Sequence, residues 1–141
     1  MPEREQYAIA ELLNGRIQTH SFYATRVPSV APYGDPDYVP LFYHEPVTGA
    51  ELAEIFAKSR GQPFTLDHRW SGVSVTVRPG PATPSILRKI DGRLCFGEIF
   101  DRVRREAAFK DAPPDDAALF EDFREAWETL NAIDRLLLRH R

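Results

Sequence analysis

The clearest pattern in the chain is a change of hydrophobic period near residue 82. Before it, short alternating or aromatic-rich runs are punctuated by prolines; after it, apolar residues recur at intervals of three and four. Period two places successive side chains on opposite faces of a strand, whereas a three-and-four spacing lines one face of a helix. Val73, Val75 and Val77 alternate with Ser74 and Thr76, which predicts a strand over 72–78 with one buried and one wet face. Residues 63–70 predict its antiparallel partner across Ser71-Gly72.

Upstream, residues 3–14 read as a short amphipathic helix ending at Asn14-Gly15, and the β-branched and aromatic run 16–27 reads as a strand. Pro28, Pro32, Pro36 and Pro40 then predict a loop, because each removes a backbone donor and biases its predecessor away from helix. Tyr33 and Tyr38 in that loop must pack or bind. Residues 39–45 predict a strand that Pro40 pushes towards an edge. Thr48 and Glu51 have the spacing of a capping box, Leu52, Ile55 and Phe56 form an apolar face, and Gly61 closes the helix they predict.

Beyond residue 82 the expectation is three helices. Thr83 is placed as a cap with Pro84 at the first helical position, Ile86, Leu87 and Ile90 face inward, and Asp91-Gly92 ends the first helix. Leu94, Phe96, Ile99, Phe100 and Val103 supply the inner face of the second. Cys95 stands three residues before Glu98, where a capping box would carry Ser or Thr. Asp115 or Asp116 caps a last helix expected to reach about Leu138, roughly 35 Å at the standard rise. Its stripe of Leu119, Phe120, Phe123, Trp127, Leu130, Ile133 and Leu137 exceeds what a small core needs, so a homodimer through this helix is weighed beside packing within the chain.

Composition narrows this picture. A chain of 141 residues, 43% apolar, can bury one core, and the reading is an α+β fold in one compact unit. Residues 1–82 hold an N-terminal helix and a small antiparallel sheet, and 83–141 the trihelical half. The lone Cys95 excludes an internal disulfide and a cysteine-based zinc site. The charged N-terminus and the lack of a long apolar run argue against a signal peptide and a membrane partner, and cytoplasmic location is the default expectation.

The segment VSVTVRP, followed by ILRKIDG and a helix opening on Glu98-Ile99, resembles winged-helix-like modules that include PqqD-type peptide-recognition domains. Ile86, Leu87, Ile90, Asp91, Gly92, Glu98 and Ile99 carry the resemblance, which spans roughly residues 72–138, and Cys95 departs from the family's Ser or Thr. Similar Asp-Gly helices occur in accessory domains attached to methyltransferases. The resemblance implies a leader peptide added as a strand beside the sheet edge and resting on a helix. The matching positions here are 73–77, with Val73, Val75 and Val77 foremost, and the exposed side of 98–105, with Arg102 and Arg105 foremost. Such pairing takes affinity from the backbone and selection from side-chain pockets.

The leading functional expectation is therefore a non-catalytic peptide- or protein-binding adaptor without cofactors, serving a separate modifying enzyme. The runner-up is a winged-helix DNA-binding regulator. Residues 84–110 carry seven basic and four acidic side chains, a local +3, which leaves −6 on the rest of a chain totalling −3 and disfavours phosphate. A small metal-dependent enzyme ranks third. His44-Glu45 and Asp67-His68, with His20, could supply ligands, His44 and His68 foremost, but neighbours on a strand face opposite ways and each pair readily gives one inward ligand. No phosphate loop, GxSxG elbow or HExxH is present.

If Cys95 caps its helix, Cys95→Ser should be tolerated or should stabilise by about 0.5–1 kcal/mol, read from the urea unfolding midpoint. A clear loss would mean that Cys95 is buried core and that the helix begins elsewhere.

Overall fold

The computed structural model describes residues 33–43, 48–67, 74–133 and 135–140. The expected N-terminal helix (3–14) and strand (16–27), together with His20, His44, His68 and Val73, lie outside the described residues. What is described is α+β: β1 (Val39–Phe42), α1 (Gly49–Lys58), β2 (Phe64–Asp67), β3 (Ser74–Val77), α2 (Thr83–Lys89), α3 (Phe96–Arg104), α4 (Asp116–Ala132) and β4 (Leu136–Arg139). The strands form two antiparallel pairs. β2 pairs with β3, Phe64 opposite Val77 and Asp67 opposite Ser74, while β1 pairs with β4, Val39 opposite Arg139 and Phe42 opposite Leu136.

Local chemistry explains three of the four helix starts. Thr48 Oγ1 accepts from the Glu51 amide at 3.2 Å, and the Glu51 carboxylate accepts from the Thr48 amide at 2.7 Å, so α1 opens with a full capping box. Asp115 caps α4 by accepting from the Ala118 amide at 2.8 Å. At α3 the Cys95 amide donates to Glu98 Oε2 at 3.0 Å, and Cys95 is the N-cap, although it is also buried. Capping and burial, set against each other by the sequence, coincide. A thiol sulfur is a weak acceptor for the reciprocal bond. The next two free amides of the helix are satisfied from the preceding loop: Phe96 N donates to Tyr38 O at 3.0 Å, and Gly97 N to Pro36 O at 2.9 Å. A strong cap at residue 95 is thereby less necessary.

Thr83 corrects the fourth expectation. The N-cap of α2 is Ala82, and Thr83 is the first helical residue, fully buried, with Pro84 one place further in than expected. Its hydroxyl donates to the main-chain oxygen of Asp122, in the middle of α4, at 2.7 Å. The Asp122 carboxylate accepts from the Ala82 amide at 3.2 Å, and Glu125, one turn on, accepts from the Arg78 amide at 2.7 Å. The proline-rich link between β3 and α2, together with the first residue of α2, is thus fastened to α4 at three points.

The end of the chain is also corrected. α4 stops at Ala132, and 136–139 form β4 rather than more helix. Leu137 stands opposite Leu41 in the β1–β4 pair, so the regular spacing that joined it to Ile133 is not a helical face. Leu119, Phe120, Phe123, Trp127 and Leu130 of α4 are buried in the chain's own core with Ile86, Ile99, Phe100 and Leu136. The surplus of apolar helix that motivated a homodimer is absent from α4. The core takes residues from both sides of position 82, including Leu52, Phe56, Leu66 and Val77. Tyr33 packs: its ring stacks on Trp127 at 5.5 Å, and its hydroxyl donates to Phe120 O at 2.6 Å.

Thr83→Asp distinguishes a buried Thr83 from an exposed cap. An exposed cap position would accept Asp, whereas here a carboxylate would enter the core facing a carbonyl, and we expect a loss of about 3 kcal/mol or more in chemical denaturation.

Candidate functional site

α3 presents two faces of opposite character. Phe96, Ile99, Phe100 and Val103 are buried, and the 3.6-residue repeat leaves Asp101, Arg102 and Arg105 exposed with Glu98 half-buried. Leu94, just before the cap, is half-buried against the core. These five residues, Leu94, Glu98, Asp101, Arg102 and Arg105, line a shallow depression of about 180 Å³. Small-molecule sites usually measure ~300–1,000 Å³. This volume suits a side chain docked from outside better than an enclosed substrate.

The charges lining it differ in what they have left to offer. Glu98 is engaged by the Cys95 amide, and Asp101 by Arg104 Nη1 at 3.0 Å. Arg104 is turned away to Asp116 of α4 and to the Pro114 carbonyl, the latter at 2.8 Å. Arg102 and Arg105, three residues apart, make no recorded hydrogen bond or ion pair among the described residues. The depression has nominally balanced charge, yet its two unengaged groups are both guanidiniums.

The far end of α3 is braced from α2. Glu106 accepts from Ser85 Oγ at 2.6 Å and forms a half-buried ion pair with Lys89. Burial pushes the Glu106 carboxyl up, but the hydrogen bonds from Lys89 and Ser85 and the nearby charges of Lys89 and Arg88 outweigh it, so the group sits below its ordinary value of 4.5. Arg105 is therefore carried on a fixed helix end.

The sequence-derived site divides in this geometry. Arg102 and Arg105 meet, joined by Glu98 and Asp101 of the same expected face and by Leu94, which the sequence reading had given to the core. No β3 residue lines the same depression. Val77 is fully buried and Val75 half-buried against the core, so the side chains β3 shows to solvent are Ser74 and Thr76. Among the described residues no group of three or more His, Cys, Asp or Glu could hold a metal ion, and no helix is long and apolar enough to cross a membrane. Comparison with known proteins found no matching family model, no similar curated protein and no similar solved structure.

The Glu106 brace has a pH signature. A carboxyl lowered on folding contributes stability that is present above its unfolded value and lost as pH falls through the folded value. Stability should accordingly decline as pH drops below about 4.5, and Glu106→Gln should remove part of that decline in urea titrations at stepped pH.

Proposed function

We propose that this protein is a non-catalytic peptide- or protein-binding module, and that the outer face of α3 is its contact surface. The observation that carries the proposal is the pair of unengaged guanidiniums, Arg102 and Arg105, beside the half-buried Leu94 on a helix fixed at both ends. A partner segment bearing a carboxylate next to an apolar side chain is complementary to it. Arginine binds carboxylates through paired N–H donors, and a nearby apolar contact adds selection. The order β2–β3 hairpin, then α2, α3 and α4, supports a winged-helix-like arrangement of the kind found in PqqD-type domains. In that arrangement β3 would offer its backbone, with Ser74 and Thr76, rather than its valine side chains. A role beside a separate modifying enzyme follows from the same resemblance.

The competing DNA-binding role fits the site less well. Of the seven basic side chains in 84–110, Lys89 and Arg104 are already held by Glu106, Asp101 and Asp116. Affinity for DNA depends on the number of phosphates that cations can neutralise.

Fluorescence anisotropy with labelled probes tests the proposal. We expect a short peptide alternating Leu and Glu to bind, its Leu/Lys counterpart to bind far more weakly, and the double variant R102A/R105A to lose about tenfold or more in affinity, the scale of one charge-assisted hydrogen bond. Tight, salt-sensitive binding of duplex DNA, or peptide binding indifferent to both arginines, would overturn it.

A further inference from the structure

A second concavity lies apart from α3. It measures about 390 Å³, is lined by Phe56, Ala57, Arg60 and Gly61 at the end of α1 and by Pro79, Gly80, Pro81 and Pro84, and falls in the range typical of small-molecule sites.

One wall is pre-formed. Three prolines fix their own φ angles, and the Thr83 amide closes the turn on the Gly80 carbonyl at 3.1 Å. The hydrogen bonds from Arg78, Ala82 and Thr83 to Glu125 and Asp122 fasten it to α4. Gly80 sits so close to α4 that a Cβ there would lie 2.4 Å from the Asp122 main-chain oxygen. A wall so constrained has little to reorganise on binding.

The opposite wall carries a cation in an unfavoured backbone conformation. Arg60 has φ +52, and no other non-glycine among the described residues has a positive φ. It follows the Ser59 C-cap of α1, where glycine terminates a helix with least strain. Departure from the local rule at a position lining a cavity is the kind of outlier from which function is inferred. Arg60 makes no recorded side-chain hydrogen bond or ion pair among the described residues, and no carboxylate lines the groove.

Two of the four terminal carbonyls of the helix, and the carbonyl of its C-cap, are taken up locally. The Phe56 carbonyl accepts from Ser59 Oγ at 2.8 Å, the Ala57 carbonyl from the Arg60 amide at 3.2 Å, and the Ser59 carbonyl from the Gln62 amide at 2.9 Å. The groove thus joins a proline wall to one unengaged guanidinium.

We propose that this groove binds a small aromatic monocarboxylate, its ring against Pro81 and Pro84 and its carboxylate on Arg60. The site does not depend on the α3 surface. Calorimetric titration with phenylacetate, and with 2-phenylethylamine as the cationic control, tests it. Phenylacetate should bind and the amine should not. Arg60→Gly should weaken phenylacetate binding by about tenfold or more while leaving the melting temperature unchanged or raised, because glycine relieves the positive φ. Ala57→Trp, at an exposed position on the groove, should block binding with the fold intact, and R102A/R105A should leave it unaltered. Absence of phenylacetate binding to the folded wild-type protein, equal binding of the amine, or undiminished binding to Arg60→Gly would overturn the proposal.

Discussion

The fold depends most on how α4 is held. Its apolar face lies in the middle of the core, and its central turn reaches outward through Asp122 and Glu125 to take two donors from the link between β3 and α2 and one from the first residue of α2. A fully buried hydroxyl such as that of Thr83 must have an acceptor, since an unmet hydrogen-bonding group in the interior costs about 1–3 kcal/mol. The acceptor is a carbonyl of α4, which sets where α2 begins relative to it. From α2 the Lys89 and Ser85 bonds to Glu106 carry the constraint to the end of α3. The proposed contact surface therefore rests on helices whose mutual placement is hydrogen-bonded as well as packed.

The features legible in the sequence are those decided within a few residues. The Thr48–Glu51 box, the Asp115 cap and the buried stripe of α3 were readable because their partners lie one turn away. The Asp91-Gly92 stop is of the same kind: Asp91 Oδ1 accepts from the Arg93 and Leu94 amides at 2.8 and 3.0 Å, while Gly92 takes φ +73. Features decided by distant partners were not readable. Thr83 next to a proline looks like a cap, and only the presence of Asp122 makes it a core residue. Leu136–Arg139 continue a three-and-four rhythm with Ile133, and only the presence of β1 makes them a strand. Tertiary pairing overrides local pattern in both cases.

The same division applies to the sites. Arg102 and Arg105 could be placed on one outward face from their spacing alone. The Asp101–Arg104 and Cys95–Glu98 contacts lie one turn apart and share that legibility, whereas the turning of Arg104 away to Asp116 and the Pro114 carbonyl depends on α4 and had no local signal. The groove beside Arg60 had no sequence signal at all. Its two walls are separated by the whole β2–β3 hairpin, and its prolines read simply as a break in pattern.

Native-state hydrogen exchange in low denaturant tests the central claim, that α4 and its clasp make the described core one cooperative unit. The slowest amides of α2, α3 and α4 should exchange with one common free energy and one denaturant slope, equal to those of global unfolding. Exchange of α2 and α3 through a separate opening of lower free energy, with α4 still protected, would contradict it.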